Sequence, residues 1–394
     1  MNIKPLKIGE LQAKIPLIQG GMGVGISLGN LAGAVANEGG VGIISTAQIG
    51  FKEKDFYSNT LAANLRAIEK ELKKARKIAP KGILGFNIMT ALTNYKEQVL
   101  AASESRGRHY NFGFESYTRW IYLLFVQGYK TKIAPIVSGK KSAQVILKYW
   151  DTRYKKTADL VVIEGPKAGG HLGFKKDELE KYGFGAGKRN DMEKYGFSAG
   201  KKEENCGLKI SEDNQNDKFE QKSIKDYKEE VLEIKKVVQE YENKYSKKIP
   251  IVLAGGITTR DDVKNAFDLG MDGVQVGSLF VTTEECDAHI NYKNSYVNAK
   301  EDEITIVKSP VGMPGRAIKN KFMSQVMAGE NFPPKKCLKC LKKCNPANIP
   351  YCITERLINA AEGNVDNGLL FCGANAYMQN EITTVHRVIE KLFG

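Results

Sequence analysis

The sequence contains no long apolar run, and this absence limits the kinds of protein it can be. No uninterrupted apolar stretch reaches the roughly 18–20 residues that cross a bilayer. Residues 1–9 also lack the apolar core, followed by small residues, of a signal peptide. We therefore expect a cytoplasmic protein with no membrane partner.

Cysteine and histidine are scarce, with seven and four residues respectively among 394. The number of cysteines is odd, and four of them lie close together near the C-terminus. A disulfide framework uses cysteines in pairs, so this count is more typical of a protein in a reducing compartment.

A nucleic-acid-binding module is also missing, although the formal net charge is +14. The positive charge comes largely from lysines spread along predicted helices and from lysine-rich stretches such as residues 335–343. No basic run is interleaved with aromatic residues as in nucleic-acid-binding modules. We expect no nucleic-acid partner, because such a surface favours phosphate groups on a cofactor or an acyl carrier.

The sequence does contain a regular alternation of short apolar runs and helical patterns. The runs are apolar throughout, as in parallel sheets that are covered on both faces. We predict an α/β fold, a TIM (β/α)8 barrel with helices outside, over residues 1–330. The predicted strands are 15–19, 41–45, 82–89, 133–137, 160–164, 249–254 and 273–277, and the predicted helices are 28–37, 60–78, 141–150 and 225–245.

Two segments depart from this alternation. Residues 175–247 form a polar, partly helical insertion, in which KYGFGAGK at 181–188 recurs as KYGFSAGK at 194–201. Two copies thirteen residues apart are too few and too short for a repeat fold, so we interpret them as a local duplication in a surface loop. Residues 331–394 form a C-terminal helical segment that contains the clustered cysteines.

Glycines follow several predicted strands. The first strand is followed by QGGMGVG at 19–25. Ligands bind at the carboxyl ends of barrel strands, and glycine lets the backbone approach a flat ring closely. By itself this signal is weak, because glycine loops are common.

Two later strands also end in glycines, in LAGGIT at 253–258 and VQVGS at 274–278. Backbone amides and helix N-termini at two successive strand ends predict a phosphate site. The alternative is that these glycines serve only tight turns.

His171 lies in VIEGPKAGGHLG at 162–173, directly after another predicted strand. It is the only one of the four histidines at the functional end of a strand, which favours contact with substrate over a structural role. A pKa near neutrality would let it act as a base or hold an anion. We interpret His109, His289 and His386 as structural.

Together these motifs resemble the nitronate monooxygenase family and the related FMN-dependent enoyl-acyl-carrier-protein reductases. The most specific pieces are IPLIQGGM at 15–22, GFNIM at 85–89, EGPKAGGH at 164–171 and AGGI at 254–257. The resemblance covers roughly residues 5–100, 130–175 and 248–330. It implies FMN as cofactor, a barrel and a polar insertion after the histidine loop.

Residue by residue, the resemblance implies a catalytic role for His171, facing the substrate. Gly21 and Met22 would border the flavin ring, and Asn87 would hydrogen-bond the flavin or its ribityl chain. The implied cofactor-binding residues are Gly20, Gly21, Met22, Asn87, Glu164, Gly169, Gly170, Gly255, Gly256, Gly277 and Ser278.

The resemblance leaves three functions open. The first is oxidation of nitronates with dioxygen, and the second is reduction of an enoyl thioester with NAD(P)H as reductant. The third is a flavin- or metal-binding protein without turnover. Either enzyme would take a small-molecule substrate, and the sequence also allows a homodimer. No separate dinucleotide-binding motif is present, although NAD(P)H could still dock over a flavin.

Residues 103–125 depart from the family pattern, which usually offers an isoleucine-rich strand and a glycine loop here. This chain has RGRHYNFGFESYTRW at 106–120, with family-like sequence on both sides. We hypothesise a local reading-frame slip, which would remove a barrel strand. The alternative is true divergence, with the aromatic residues packing on the flavin. The coding sequence tests the slip, because a neighbouring frame must encode the missing strand.

The clustered cysteines are Cys337, Cys340, Cys344 and Cys352. Spacings of three and four place the first three on one face of a predicted helix. Four such thiolates could bind Zn or an iron–sulfur cluster. The alternative is that they are small apolar residues on a buried helix face.

Overall fold

A nine-stranded parallel sheet forms the centre of the described structure, which has the strand order β7-β6-β5-β4-β3-β12-β11-β9-β8. This computed structural model describes residues 4–104, 112–114, 131–184 and 226–394, with only the backbone of 112–114. The strands are β1 Leu6–Ile8, β2 Leu11–Ala13, β3 Leu17–Gln19, β4 Val41–Ser45, β5 Ile83–Asn87, β6 Phe112–Phe114, β7 Lys132–Ala134, β8 Ile136–Val137, β9 Val161–Glu164, β10 Gly170–His171, β11 Ile251–Ala254, β12 Gly273–Val276, β13 Ile304–Lys308 and β14 Pro314–Ile318.

Pro135 joins the two ends of this sheet. It separates β7, which pairs with β6, from β8, which pairs with β9. Proline has no amide hydrogen to donate, but its carbonyl oxygen still accepts a hydrogen bond from the Val162 amide at 3.0 Å. The parallel sheet therefore curls round until the chain itself connects its first and last strands.

Side chains on the strands alternate between two hydrophobic clusters. Ile18, Ile43, Val162 and Val252 pack together on the inner side of the curled sheet. Their neighbours along the strands, such as Leu17, Ile44 and Ile163, pack with the helices outside. Both faces are buried, which explains why the strands are apolar throughout.

The β1–β2 hairpin, which the sequence did not predict, packs into the inner cluster at the amino ends of the strands. Leu6, Ile8, Leu11 and Ala13 are buried there together with Val41. With the amino ends covered by the hairpin, the carboxyl ends are the available position for a ligand.

Helices surround the sheet, and their boundaries lie close to the predicted ones. The helix Thr60–Ile78 begins after Asn59, whose side chain accepts a hydrogen bond from the Ala62 amide. This helix buries small residues such as Ala63 and Ala67. The helices are α1 Gly29–Asn37, α2 Thr60–Ile78, α3 Tyr95–Glu104, α4 Lys140–Tyr154, α5 Lys176–Lys181, α6 Tyr227–Tyr245, α7 Arg260–Asp268, α8 Ser278–Val281, α9 Ile290–Val297, α10 Lys321–Met327, α11 Ile353–Ala361 and α12 Val385–Phe393.

The C-terminal region returns to the ring of helices. Thr283 and Thr383 form a parallel bridge, so the chain leaves the ring after α8 and rejoins it nearly one hundred residues later. Helix α12 then packs against α1 and α7. The domain boundary at residue 330 stays a prediction, but residues on its two sides share contacts in the same core.

Two predictions concern segments that are described only in part. In the 103–125 stretch, the backbone of 112–114 forms a strand between β5 and β7, where we expected that a strand could be lost. The frame-slip hypothesis stays a prediction for the coding sequence. In the 175–247 insertion, α5 and α6 are described, whereas 185–225, with most of the duplication, lies outside the described residues.

Candidate functional site

The carboxyl ends of neighbouring parallel strands bring the predicted cofactor residues to one edge of the sheet. The strands β5, β4, β3, β12, β11 and β9 are adjacent in this order. The predicted residues at this edge are Gly20, Gly21 and Met22 after β3, Asn87 at the end of β5, Glu164 at the end of β9, Gly255 and Gly256 after β11, and Gly277 and Ser278 after β12.

Gly21 contacts Asn87 directly. A Cβ atom added to Gly21 would overlap the Asn87 Cβ, so glycine is required for this close approach. The Met22 loop is held from below by Ser27, whose hydroxyl oxygen accepts a hydrogen bond from the Met22 amide at 2.7 Å. The loop and the end of β5 therefore form one packed surface.

Two side-chain amides at this edge make no hydrogen bond within the described residues. One is Asn87, of which only the backbone carbonyl accepts hydrogen bonds, from Thr46. The other is Gln275 in β12, which lies beside Gly20. A partly buried amide without a partner is available to a bound molecule. The sequence motif predicted Asn87, but it gave no indication of Gln275.

The glycine pair Gly255–Gly256 adopts backbone conformations that favour glycine, with φ angles of +90° and +87°. A Cβ atom on Gly255 would stand 2.9 Å from the Gly165 carbonyl oxygen, and one on Gly256 would stand 2.7 Å from Lys167 Cδ. The pair therefore packs tightly beneath the loop that leads to His171.

The helix that follows this pair begins at Arg260 and is capped from within. The Asp262 carboxylate accepts hydrogen bonds from the Thr258 and Thr259 amides. The helix after Gly277 is only four residues long. The predicted contribution of helix N-termini to a phosphate site stays a prediction, and the backbone amides and the Ser278 hydroxyl are the other candidate donors.

Gly277 and Gly20 would each accept a Cβ atom at ordinary van der Waals distance. A Cβ atom on Gly277 would have its nearest neighbour, Met22 Sδ, at 3.5 Å, and one on Gly20 would meet nothing closer than 3.6 Å. Packing within the protein does not require glycine at either position. Gly20 and Gly277 follow the neighbouring strands β3 and β12, so the carboxyl edge lacks a side chain at both positions.

His171 lies in the short strand β10, which pairs antiparallel with β14. Its Nε2 atom is 2.7 Å from Ser309 Oγ, and its ring packs edge-on against Phe371 with a centroid distance of 4.9 Å. Within the described residues Nδ1 has no hydrogen-bond partner. One ring nitrogen is thus held by Ser309, and the other is free to act.

Burial determines the charge of His171. It lowers the pKa of the imidazole to about 4, so the ring is neutral at pH 7. The expected pKa near neutrality is therefore wrong. A neutral imidazole can accept or donate a proton at Nδ1, depending on which tautomer Ser309 favours.

Arg316 braces the loop that precedes His171. The buried guanidinium donates to the Pro166 carbonyl at 3.0 Å and to the Ala168 carbonyl. Burial lowers its pKa to about 10, which still leaves it charged. A planar guanidinium can bind two carbonyls at once, and this fixes the path of the loop.

Glu164 lines a cavity of about 540 Å³ at the same edge of the sheet. Its carboxylate accepts a hydrogen bond from the Gly173 amide at 3.0 Å. Burial raises its pKa to about 7, against the opposing effects of that amide and of Arg316. The cavity walls include Ile136, Ser138, Val145, Phe174 and Tyr182.

Segment 371–375, which lies far along the chain from the predicted motifs, also reaches this site. A Cβ atom on Gly169 would overlap the backbone at Cys372, so the two segments are in close contact. Gly170, with a φ angle of +74°, turns the chain into β10. Sequence reasoning missed this segment together with Ser309 and Arg316, because none of them belongs to a recognised motif.

Comparison with known proteins identifies the family. A family model described as nitronate monooxygenase matches residues 4–184 and 219–394. The chain belongs to the nitronate monooxygenase family. It is therefore assigned to a family of oxidoreductases, and residues 185–218, within the predicted insertion, fall outside the family match.

Curated relatives match over shorter stretches. A probable nitronate monooxygenase of Staphylococcus aureus (strain Newman) is 27% identical over 146 residues, covering 36% of this chain and 40% of the relative. A probable nitronate monooxygenase of Staphylococcus saprophyticus is 35% identical over 78 residues, covering 20% and 22%. The matches thus span less than half of the length of these relatives.

Solved structures match over nearly the whole chain. FabK from Thermotoga maritima gives a TM-score of 0.64 at 21% identity, covering 96% of this chain and 91% of that one. A nitroalkane oxidase from Streptomyces ansochromogenes gives 0.62 at 17% identity, covering 96% and 94%. An enoyl reductase domain of MlnA from Bacillus amyloliquefaciens gives 0.59 at 16% identity, covering 96% and 93%. At these identities the likeness shows a shared fold.

The cysteine cluster of this nitronate monooxygenase family member is not on a helix. Residues 337–340 form neither a helix nor a strand, Leu341 forms a bridge with Leu92, and Lys339 has a φ angle of +50°. Across the ranges 4–104, 131–184 and 226–394, no three cysteine, histidine or acidic side chains are placed to hold a metal ion. The predicted helical face is therefore wrong, whereas the Zn or iron–sulfur site stays a prediction that this arrangement does not support.

Two of the other histidines in this family member have structural contacts. His289 caps α9, with its Nδ1 accepting a hydrogen bond from the Asn291 amide at 3.1 Å. His386 forms an exposed pair with Glu38 at 3.0 Å. His109 lies outside the described residues. No helix in the described ranges is long and apolar enough to cross a membrane.

Proposed function

We propose that this protein is an FMN-dependent nitronate monooxygenase, with His171 as its catalytic residue. The observation that carries the proposal is the neutral, partly buried imidazole of His171 in β10, whose Nδ1 has no hydrogen-bond partner within the described residues, beside glycine-lined strand ends. The curled sheet, whose ends meet at Pro135, supports a closed eight-stranded TIM barrel as the scaffold.

The residues at the carboxyl edge fit FMN. Gly20 and Gly277 would let a flat ring approach the backbone closely, because neither residue carries a side chain. The free amides of Asn87 and Gln275 would supply the polar contacts that an isoalloxazine ring or ribityl chain needs. Gly255, Gly256 and the Ser278 hydroxyl would bind the phosphate through backbone and hydroxyl donors.

When bound, FMN would supply the electron transfer, and the protein's own residues would handle protons and charge. For a neutral nitroalkane, His171 Nδ1 would accept the α-proton, with Nε2–H donating to Ser309 Oγ. For a nitronate anion, no proton needs to be removed, and an Nδ1–H donor would orient the anion. The low pKa of His171 keeps the imidazole neutral, so that either tautomer is available.

The second candidate is an enoyl thioester reductase that uses NAD(P)H. The likeness to the MlnA enoyl reductase domain supports it. The cavity at Glu164 has an apolar part, formed by Ile136, Val145, Ile146 and Phe174, that could hold an acyl chain beside charged residues such as Lys181 and Glu230. In that reaction His171 Nδ1–H would donate to the thioester carbonyl, with Ser309 donating to Nε2. The third candidate, a flavin-binding protein without turnover, would bind FMN but catalyse neither reaction.

A paired assay tests these functions. Purified protein with a flavin absorption spectrum is supplied with a nitronate while oxygen uptake is recorded, and separately with NAD(P)H and a short-chain enoyl thioester while NAD(P)H oxidation is recorded. We expect oxygen uptake with the nitronate. Turnover of the thioester alone would favour the second candidate, and a bound flavin without either activity would favour the third. Protein that ignores added FMN would end all three.

A further inference from the structure

We infer that segment 371–375 positions the phosphate-binding groups of the site, with Gly373 and Asn375 as positioning residues. This inference rests on the proposed flavin site. It extends that site to a part of the chain about one hundred residues beyond the last glycine motif at Gly277–Ser278.

The first contact that supports the inference joins Gly373 to Ser278. The Gly373 amide donates a hydrogen bond to Ser278 Oγ at 3.0 Å. A serine hydroxyl has two acceptor lone pairs and one proton to donate. When a backbone amide occupies one of the lone pairs, the hydroxyl is restricted in direction and its proton remains available to an acceptor such as phosphate.

The second contact joins Asn375 to the glycine pair. The Asn375 side-chain amide donates to the Gly256 carbonyl at 3.2 Å and approaches Thr258 Oγ1 at 3.5 Å. These bonds fix the carbonyl side of the Gly256 peptide plane. The amide of the next residue, Ile257, belongs to the same plane, so its direction is fixed as well.

The segment is also attached to the loop that precedes His171 and to β14. The Ala374 amide donates to the Lys167 carbonyl at 3.0 Å, and the Cys372 amide donates to the Arg316 carbonyl at 3.0 Å. Residues 372–375 thus form hydrogen bonds with the loop before His171, with β14, with Ser278 after β12 and with Gly256 after β11. Such a brace preorganises donors before the ligand arrives, which reduces the entropic cost of binding.

Glycine is needed at position 373 because of Ser278. A Cβ atom there would stand 2.8 Å from Ser278 Oγ, and its next neighbour, the Lys167 carbonyl oxygen, would be at 3.6 Å. The conflict is therefore with a single atom. Gly373→Ala should displace the Ser278 hydroxyl with little other disturbance, and Ser278→Ala should relieve the conflict.

The test compares FMN with riboflavin, which has the same ring and ribityl chain but no phosphate. Flavin-free full-length protein is titrated with each ligand, and the dissociation constants are measured by flavin fluorescence. We expect Gly373→Ala and Asn375→Ala to weaken FMN binding by about tenfold, the effect of losing one good hydrogen bond to a charged group. Riboflavin binding should change much less. Asn298→Ala is the matched control, because Asn298 is exposed and its side chain makes no hydrogen bond within the described residues.

The double variant Ser278→Ala/Gly373→Ala adds a second readout. If Gly373→Ala acts through Ser278, it should cause no further loss of FMN affinity in the Ser278→Ala background. Equal losses for FMN and riboflavin, or unchanged FMN affinity in both single variants, would overturn the inference while leaving the flavin site intact. A wild-type protein that binds neither flavin would overturn the proposed function and the inference together. If Gly373→Ala fails to fold, the dissociation constants of Asn375→Ala for FMN and riboflavin still test the inference.

Discussion

Gly21, in the loop after β3, and Asn87, at the end of β5, are packed so closely that an added Cβ on Gly21 would overlap the Asn87 side chain. The first loop therefore determines where the free amide of Asn87 lies. The affinity of any ligand that hydrogen-bonds to this amide should therefore depend on the size of the residue at position 21.

The first prediction follows from this contact. We expect Gly21→Ala to displace Asn87 and to weaken flavin binding by about tenfold or more, as for the loss of a positioned hydrogen bond. Asn87→Ala should have a similar effect, and the double variant should not be additive, because the two residues act through one contact. Flavin titration measures this. Tight binding by Gly21→Ala would contradict the role of Asn87.

The second prediction concerns His171 itself. His171→Ala should keep bound flavin and lose turnover of a neutral nitroalkane by about 100-fold or more, the usual contribution of a positioned proton-transfer group. Ser309→Ala should retain the flavin spectrum and lose less activity, because it frees Nε2 without removing the imidazole. A His171→Ala protein with normal kinetics would show that another residue performs the proton transfer.

The third prediction is the pH dependence that follows from the pKa of His171. The pKa is lowered to about 4, so the neutral imidazole persists as the pH falls from 7 to about 5 and is lost only near 4. If His171 acts as the base, kcat/KM should therefore fall on the acid side of its pH profile near pH 4 rather than near 6.5. An acid limb at 6.5 that disappears in His171→Gln would contradict this assignment of charge.

The fourth prediction concerns stability and Glu164. Its pKa in the folded protein is raised from 4.5 to about 7, so the folded state holds this proton more tightly than the unfolded chain does. Ionisation of Glu164 in the folded protein therefore lowers the free energy of unfolding. This loss is absent below pH 4.5, grows as the pH rises from 4.5 to 7, and is complete above about pH 7. Glu164→Gln should therefore gain stability relative to wild type by up to about 3 kcal/mol at pH 8, and by much less at pH 4.5. Denaturant unfolding at the two pH values measures the difference, and an equal effect at both would refute the raised pKa.

Much of the sheet could be predicted from the sequence because its strands are short apolar runs that end at glycines. The predicted strand at 41–45 coincides with the observed one, and the run at 133–137 is interrupted only at Pro135. Glycine motifs at strand ends also predicted which residues gather at the carboxyl edge. These signals are local, and in a parallel sheet local signals determine position.

The remainder depended on contacts between distant segments. Ser309, Arg316 and segment 371–375 meet the site only because the chain after α8 folds back over the strand ends. The spacing of the cysteines predicted a helix, but a left-handed residue at Lys339 and the bridge between Leu341 and Leu92 are incompatible with a continuous helix. The pKa of His171 depends on burial by those same segments, which sequence spacing does not reveal.

The fifth prediction tests whether Arg316 is needed for its geometry or only for its charge. Its guanidinium bonds two carbonyls of the loop before His171, at Pro166 and Ala168. Lysine keeps the charge but presents a single ammonium in place of the planar fork, so Arg316→Lys should leave one buried carbonyl without a donor. We expect a loss of about 1–3 kcal/mol in the free energy of unfolding, together with reduced turnover because the loop that carries His171 loosens. Arg66→Lys is the matched control, because Arg66 is half exposed and pairs with Asp55 at the surface, where exchange of the cation costs little. If Arg316→Lys unfolds at the same denaturant concentration as Arg66→Lys and keeps full turnover, charge alone suffices, and the loop is held by other contacts such as the pairing of β10 with β14.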